Sequence, residues 1–375
     1  MFKRQAIVIL VFLLITALLT ACGQTASDAE GNTTQAPSTA AETTQAPDTT
    51  QAPASTAQDD AQLKAIQDML LESANEVTVT ESEVTFKDDS GRDAITIKKN
   101  PKRVAVLYGS HACLYTEAGG KVSLGVSSAE LYKEQIGRDI MKDEGVVTVA
   151  ASSAGKNWDV EAILAQQPDL IICSTAMSGY STIAAPAEAV NIPVIALTYS
   201  GVTDYLRWFK VFCNINSKPE LWDSIAVKVA DDIANIILKT QKAEHKPQIL
   251  ALSPGTDALS AMLVGSDMGA IIDQLGGVNL AEGTDPKLTT IDIDLEKMYA
   301  LKPEMIFVRC GSTEKEVGDA LNKLVEGNPV WESMDAVKDG KVYLMPKELY
   351  LYRPNSRYAE SYKMLAERLY PDIEF

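Results

Sequence analysis

The sequence predicts an α/β fold in which two similar lobes are joined by one long α-helix. The first observation is a repeated unit: residues 159–172 read DVEAILAQQPDLII and residues 294–307 read DLEKMYALKPEMIF. The second is a set of short, wholly apolar segments, which are typical of strands buried on both faces of a parallel sheet. The third is a helical spacing of apolar residues, uninterrupted by Gly or Pro from Glu220 to Lys246, between the two copies.

The N-terminal segment has the three parts of an export signal. MFKR supplies positive charge, residues 6–19 form a nearly continuous apolar run that is short for a spanning helix, and LTAC ends the segment at Cys22. The pattern resembles the bacterial lipoprotein signal. That resemblance implies removal of residues 1–21, acylation of Cys22 (palmitate among the expected chains) and attachment to the extracytoplasmic face of the cell membrane. An ordinary secretory signal and a single anchor helix are the alternatives.

Residues 22–60 predict a disordered tether, because they are rich in Thr, Gln, Ala and Pro and repeat TTQAP three times. The next segment, 61–100, predicts a helix over 61–73 followed by a β-hairpin. The alternating VTVTESEVTF and the later DAITI are separated by a turn at Ser90-Gly91.

An N-terminal αβ lobe is predicted over 101–215. NPKRVAVLYG marks a buried strand, Asp159 caps the helix of the first repeated unit, and Pro168 ends it before the strand LIIC. A helix near 181–190 and the strand PVIALTY follow. These alternating elements are typical of a parallel sheet with helices on its faces.

The C-terminal lobe, 246–375, repeats this order. LEKMYALK is the helix and EMIFVRC the strand, followed by a helix near 314–325, the closing strand KVYLM and a C-terminal helix. Both halves are therefore expected to be αβ layers of the same kind, two Rossmann-like αβ lobes. The linking helix over 216–245 is a stiff spacer, which makes a large closure of the lobes harder than a flexible hinge would.

Charge and cysteine spacing exclude several classes of protein. The formal charge is −17, with 34 basic and 51 acidic residues, and no block of Lys or Arg suggests a nucleic-acid surface. The cysteines beyond the signal are too widely spaced for a zinc site or a disulfide framework, and they predict small buried apolar residues. They are Cys113, Cys173, Cys213 and Cys310.

Several stretches together carry a family resemblance. They are VTFKDDSGRDAITIKKNPKRVAVL, the two D-[VL]-E…P-[DE] units, MLVGSDMGAIIDQLGGVNLAEG and the ending from NPVWESMDAV to ERLYPD. These stretches resemble the class III substrate-binding proteins of ABC importers, the family that captures vitamin B12, ferric siderophores and haem. The resemblance covers residues 77–375. It implies two αβ lobes joined by one long helix, with the ligand cleft between the lobes.

The resemblance gives the repeated unit a role. In this family each lobe offers one exposed glutamate to arginines of the membrane permease, and Glu161 and Glu296 occupy those motif positions. Two copies would let a pseudo-twofold protein dock on a twofold transporter with equivalent contacts. The alternative is that each glutamate only stabilises the N-terminus of its own helix.

Ligands of open αβ layers bind beyond the carboxyl ends of the strands, and this rule selects the candidate ligand-binding residues. Aromatic faces and guanidinium groups suit a ring-bearing ligand with carboxylates or a negatively charged metal chelate. Arg309 could instead form a buried ion pair, and Arg357 could brace its loop. His111 could be a hydrogen-bonded loop residue or an axial ligand of haem iron. The candidates are Tyr108, His111, Trp158, Tyr180, Arg309, Tyr350, Tyr352, Arg353 and Arg357.

Histidine is scarce: His111 and His245 are the only two. A receptor for naked zinc or manganese needs several converging ligands, so the ligand is expected to bring its own chelator and no direct metal site or cofactor is predicted. The predicted function is a monomeric, non-catalytic substrate-binding lipoprotein that delivers an iron chelate, siderophore or haem, to an ABC permease dimer and its ATPase.

Three alternatives stay open. Cobalamin is the other ligand considered. An anchored extracellular αβ enzyme is a different class, although the sequence lacks GxSxG, a Walker A loop, GxGxxG after the first strand and HExxH. A ligand sensor that never meets a permease is the third.

Overall fold

The computed structural model describes residues 57–150, 158–175, 179–283, 285 and 288–375. The signal segment 1–21, Cys22 and residues 22–56 of the predicted tether lie outside the described residues. The tether is predicted to reach residue 60, yet helix α1 (Ala57–Leu71) already includes residues 57–60. Asp59 and Asp60 lie in its first turn, where the helix dipole favours negative charge. No helix in the described part of the chain is long and apolar enough to cross a membrane.

A small antiparallel sheet precedes the first lobe. Strands β2 (Glu83–Phe86) and β3 (Ile95–Lys98) pair as the predicted hairpin, and β1 (Thr78–Val79) adds a third strand beside β2. Gly91, in the turn between β2 and β3, has φ +86°, a backbone conformation that glycine adopts without strain.

Asp88 fastens the hairpin to the first lobe. Its side chain is fully buried and accepts hydrogen bonds from Arg92 Nη2 (2.6 Å), Ser90 Oγ (2.6 Å) and the Ala196 N–H (3.0 Å). Burial alone would raise the pKa of the Asp88 carboxyl. The hydrogen bonds from Arg92, Ser90 and Ala196 outweigh it, so the pKa lies below its usual value of 3.8.

The N-terminal lobe is a five-stranded parallel sheet with the order β6-β5-β4-β7-β8. The first strand of the lobe is therefore central, which is the doubly wound arrangement. Its strands are β4 (Val104–Val106), β5 (Val122–Val126), β6 (Val147–Ala150), β7 (Leu170–Ser174) and β8 (Val194–Leu197). Its helices are α2 (Gly109–Glu117), α3 (Ala129–Ile136), α4 (Ile140–Asp143), α5 (Val160–Ala165), α6 (Gly179–Ala189) and α7 (Val202–Ile215).

The C-terminal lobe has a mixed sheet with the order β12-β10-β9-β13-β14, and β11 pairs with β9. The expectation of two sheets of the same kind is wrong in this respect, because β10 runs antiparallel to β9 and to β12. The strands are β9 (Gln248–Pro254), β10 (Leu259–Met262), β11 (Val278–Asn279), β12 (Thr290–Ile293), β13 (Met305–Arg309) and β14 (Val342–Met345). The helices that follow the linking helix are α9 (Asp267–Gln274), α10 (Leu295–Leu301), α11 (Glu314–Val325), α12 (Pro329–Ser333), α13 (Asp335–Lys338), α14 (Lys347–Tyr350) and α15 (Tyr358–Leu369).

The helices of the repeated unit begin in the same way. Asp159 accepts a hydrogen bond from the Ala162 N–H (2.9 Å) at the start of α5, and Asp294 accepts one from the Lys297 N–H (2.8 Å) at the start of α10. Each acid satisfies a backbone donor of the first turn, which is the predicted capping role.

The two copies also end alike. Gln167 has φ +52° and Lys302 has φ +50°, and each precedes the proline after which the next strand begins. That strand then pairs in parallel with the central strand of its sheet, β7 with β4 and β13 with β9. The two copies therefore lie in like surroundings, as a duplicated unit requires.

One continuous helix joins the lobes. Residues 220–241 are helical without a break: Trp222–Val227 form a π-helical turn, and α8 (Lys228–Gln241) continues it. We call residues 220–241 the linking helix. The predicted range of 216–245 is shortened at both ends, because Ser217 adopts φ +54° and Lys242 is the C-cap. The spacing of apolar residues did not predict the wider π turn.

Both sheets share one hydrophobic core with the linking helix, which we call the central core. The central core includes Val104 and Val106 of β4 and Ile249 of β9. The adjacent residues Ala105 and Leu250 belong instead to the outer cluster of their own lobe. The sheets are thus buried on both faces, as their wholly apolar strands predict. The four cysteines of the described chain are free and buried, also as predicted. The linking helix contributes Val229, Ala230, Ile233, Ala234, Ile236, Ile237 and Leu238 to the central core.

We expect Asp88→Asn to lower the free energy of unfolding by about 3 kcal/mol, because breaking a buried ion pair leaves the Arg92 guanidinium without its partner. Urea unfolding measures this.

The pKa of Asp88 is lower in the folded state, so the contribution of Asp88 to the free energy of unfolding is present above about pH 4 and is lost as the pH falls further. Asp93→Asn, at an exposed acid of the same loop, is the control. Equal effects of the two substitutions would contradict the fastening role.

Candidate functional site

The segment 346–358 joins the two lobes through groups that follow the carboxyl ends of their strands. This segment follows β14 in the C-terminal lobe. The Lys347 ammonium lies 2.5 Å from a carboxylate oxygen of Glu130 and 3.1 Å from one of Glu134, both on α3 of the N-terminal lobe. Gln135 Nε2 on the same helix donates to the Glu348 carbonyl at 2.9 Å. We call residues 346–358 the strap, and the junction of the two lobes at which it makes these contacts the cleft.

Arg353 of the strap links three parts of the cleft. Its Nε donates to the Tyr199 carbonyl (2.7 Å), just after β8, and its guanidinium is paired with Asp267 at the start of α9. The guanidinium carbon also lies 5.9 Å from the centroid of the Tyr199 ring. Arg353 is predicted as an anion-binding residue, but the structure matches its charge with a carboxylate. Arg353 therefore connects the two lobes, and we call its pair with Asp267 the clasp.

An aromatic cluster lies on the N-terminal side of the cleft and is largely buried: His111 is 2% exposed and Tyr199 is 6% exposed. The rings of Tyr108 and His111 lie edge to face with centroids 4.8 Å apart, and the Tyr199 ring lies 6.5 Å from His111. Burial lowers the pKa of His111 from 6.5 to about 3, and the Arg353 guanidinium adds to this effect. His111 is therefore neutral at physiological pH, and its Nδ1 has no hydrogen-bond partner.

Arg309 is half-buried and ends β13. Its one direct hydrogen bond within the described part of the chain goes from Nη2 to Ser253 Oγ (3.0 Å) at the end of β9. Among the described residues no carboxylate lies within ion-pair distance of it, so the predicted alternative of a buried ion pair is not what the structure shows. Burial lowers the pKa of Arg309, yet a guanidinium stays protonated at neutral pH.

The other candidates on the strap already have contact partners within the chain. Arg357 is held in a two-pronged pair by Glu360, at 2.8–3.1 Å, which agrees with the bracing alternative. Tyr352 is half-buried, with its ring 5.7 Å from the Lys347 ammonium. Tyr350 is not at the cleft surface as predicted: it is 1% exposed in the central core, where its hydroxyl donates to the Ser361 carbonyl.

Two N-terminal candidates lie in the outer cluster of their lobe. Trp158 is 9% exposed and packs in this cluster, with Tyr180 half-buried against it. Within the described ranges, the indole N–H of Trp158 has no hydrogen-bond partner. Two surface grooves of about 340 and 690 Å³ elsewhere on the protein contain none of the candidate residues.

Glu161 and Glu296 lie in the first turns of α5 and α10 and are exposed. Within the described ranges, neither carboxylate has an ion-pair or hydrogen-bond partner. An exposed acid in a first turn stabilises its helix by about 0.3–1 kcal/mol, so each side chain remains available for a contact outside the chain.

Sequence reasoning missed the groups that join the lobes: Glu117, Glu130, Glu134, Lys347 and Asn355. Their partners are more than a hundred residues away along the chain, so no local spacing could reveal them. Within the described ranges, no group of three or more His, Cys, Asp or Glu side chains could hold a metal ion.

Comparison with known proteins gives a consistent result. Residues 127–349, more than half of the chain, match the family model described as Periplasmic binding protein. The chain is 26% identical over 302 residues to the uncharacterized ABC transporter substrate-binding lipoprotein YvrC of Bacillus subtilis strain 168, covering 77% of this chain and 86% of that one.

Two solved structures share the fold. The Staphylococcus aureus protein IsdE in complex with haem is similar with a TM-score of 0.56 and 15% identity, covering 72% of this chain and 99% of that one. The iron uptake ABC transporter substrate-binding protein PiuA of Streptococcus pneumoniae is similar with a TM-score of 0.57 and 18% identity, covering 79% of this chain and 100% of that one.

We expect Arg353→Ala to lower the free energy of unfolding by about 2–3 kcal/mol, because it leaves the partly buried Asp267 carboxylate without its cation. Adding Asp267→Ala removes that unpaired charge, so the double variant should be less destabilised than the sum of the single variants. Urea unfolding of the four proteins measures the coupling. Arg357→Ala, which breaks a partly exposed pair, should cost less than about 1 kcal/mol. Strictly additive effects at Arg353 and Asp267 would argue against the clasp.

Proposed function

The chain belongs to the periplasmic binding protein family, and on that premise we propose that it is the substrate-binding lipoprotein of an ABC importer. It captures an iron chelate, siderophore or haem, on the extracytoplasmic face of the cell membrane and delivers it to a permease dimer driven by an ATPase. Proteins of this family bind and release their ligands without changing them, so the proposal includes no enzymatic step. The name of the Bacillus subtilis relative and the signal pattern ending at Cys22 support the lipoprotein assignment.

The observation that carries the proposal is the structural equivalence of the repeated units. Glu161 and Glu296 stand two positions after equivalent caps, on helices that precede equivalent strands, and both are exposed. Two like carboxylates on a pseudo-twofold body suit a partner that is itself twofold and presents cations to both. A permease dimer is such a partner, whereas an enzyme or an isolated sensor has no use for the pairing.

The iron chelate is supported by the chemistry of the cleft. With no metal-holding cluster among the described residues, the ligand must carry its own chelator. The half-buried Tyr108 and Tyr352 offer aromatic rings, and Arg309 offers a cation that has no carboxylate partner among the described residues. These features suit an anionic, ring-bearing ligand. The haem complex of IsdE and the iron uptake role in the name of PiuA agree with this class.

Replacing both docking acids should abolish import without changing ligand binding. We expect cells that carry Glu161→Ala with Glu296→Ala to take up labelled iron chelate at least tenfold more slowly, because both contacts to the permease are lost. The isolated variant should bind the chelate as the wild type does.

A matched control uses Glu314→Ala with Glu332→Ala, two exposed first-turn acids on helices outside the repeated unit. Uptake by this control should equal that of the wild type. Normal uptake by the Glu161 and Glu296 pair, with normal affinity, would remove the docking role.

Arg309→Ala should weaken binding of an anionic chelate about 10- to 100-fold, which corresponds to the roughly 1.5–3 kcal/mol of a hydrogen bond to a charged group. Tryptophan-fluorescence titration with haem, a ferric catecholate, a ferric hydroxamate and cobalamin measures the change and identifies the ligand. Arg357→Ala should change the affinity much less, because that charge is already matched by Glu360.

Saturable binding of cobalamin alone would replace the iron chelate with the alternative ligand. If Arg309→Ala left the affinity for the bound anion unchanged, the cation of the cleft would have to be sought elsewhere.

A further inference from the structure

We propose that Glu117 is a proton-operated latch between the two segments that form the cleft. It ends α2, the helix at whose other end Tyr108 and His111 face the cleft, and it accepts a hydrogen bond from the Ser356 hydroxyl of the strap. Opening this contact would expose the carboxyl to water, so the protonated form favours the closed contact. Ionisation favours the open one, because burial of the charge outweighs the hydrogen bonds from Ser356. The latch regulates the cleft of the proposed importer, so its effect on ligand rests on the proposed function, whereas the latch itself does not.

The geometry that supports the latch is a group of buried polar atoms at the junction of the lobes. Within the described ranges, Glu117 Oε2, the Tyr205 hydroxyl and Asn355 Nδ2 are buried without a hydrogen-bond partner. The Tyr205 and Tyr358 rings lie 5.7 Å apart. Native proteins leave few buried polar groups unpaired, since each costs about 1–3 kcal/mol. A group of them at the contact between α2 and the strap is a place where a single charge has a large effect.

No cation offsets a negative charge on Glu117. The titratable groups that face it are Cys113 on its own helix, Tyr205 and Cys213 on α7, and Tyr199 after β8. Burial raises the pKa of all four, so all are neutral at physiological pH. From the strap, only Ser356 donates to the carboxyl. Among the described residues no Lys, Arg or His contributes to the pKa of Glu117, and its ionised form is therefore poorly stabilised.

The pKa of Glu117 agrees with this geometry. Burial raises it from 4.5 to about 7, and the hydrogen bonds from Ser356 offset only part of the rise. Because the folded state holds its proton more tightly than the unfolded state, stability is complete below about pH 4.5. It then falls as the pH rises toward 7, and it levels off above 7. The junction is thus tighter in mildly acidic than in mildly alkaline surroundings.

The test compares wild type with Glu117→Gln, which mimics the protonated carboxyl. Thermal unfolding is followed from pH 5 to pH 8.5 without ligand. The two proteins should melt together at pH 5, and the variant should melt several degrees higher at pH 8. Hydrogen exchange at Ser356 and Arg357, corrected for the intrinsic rate, should be about tenfold faster at pH 8 than at pH 6 in wild type and unchanged in the variant.

Glu130→Gln is the matched control, because it alters another carboxylate between the lobes, an exposed one whose pKa is lowered by Lys347. Its melting curve should parallel that of wild type over this pH range. If Glu117→Gln failed to fold, the infrared carbonyl band of a protonated carboxyl, lost between pH 6 and 8 in wild type, would report the same titration. Parallel pH profiles for wild type and Glu117→Gln, or a carboxyl already ionised at pH 6, would overturn the latch. Neither result would affect the docking experiment.

Discussion

The rest of the structure depends on one apolar core that both sheets share with the linking helix. One face of each central strand and one side of the linking helix are buried together in it. Each fully buried aliphatic side chain contributes roughly 1.5–3 kcal/mol, so a large rotation of one lobe would expose several such groups at once. The central core thus holds the two lobes together, and the strap adds further contacts between them.

In the cleft, a cation that has a carboxylate partner is less available to bind an anion than a cation that has none. The chain is strongly acidic, and a partly buried cation is stable when a carboxylate lies beside it. Lys347, Arg353 and Arg357 each have such a partner and serve to hold the strap in place. Among the described residues, Arg309 has only the Ser253 hydroxyl as a partner. If the proposed function holds, the charge of an anionic ligand would match that of Arg309.

Local patterns predicted most of the fold, and contacts distant in sequence account for most of what they missed. Period, caps and prolines located both repeated units and the linking helix. The antiparallel β10 escaped prediction, although its signal exists: only residues 255–258 separate it from β9, which allows a hairpin but not a crossover. In the site, position after a strand selected Arg309, which is half-buried at the end of β13, and His111, which is 2% exposed in α2. The same rule could not show that Arg353 is paired with Asp267 or that Tyr350 turns into the core, because partners 86 and 11 residues away decide those orientations.

The repeated units of the two lobes are alike, whereas the cleft residues of the two lobes differ. The repeated units, with their like caps, exits and exposed glutamates, keep the pseudo-twofold relation on the outside. At the cleft the relation is lost: the N-terminal lobe supplies rings and a neutral histidine, and the C-terminal lobe supplies guanidinium groups. On the proposed function, a twofold partner would favour equivalence of the repeated units, whereas a small ligand without symmetry would favour difference at the cleft. The exposed glutamates and the cleft candidates are different residues, so either set can change without altering the other.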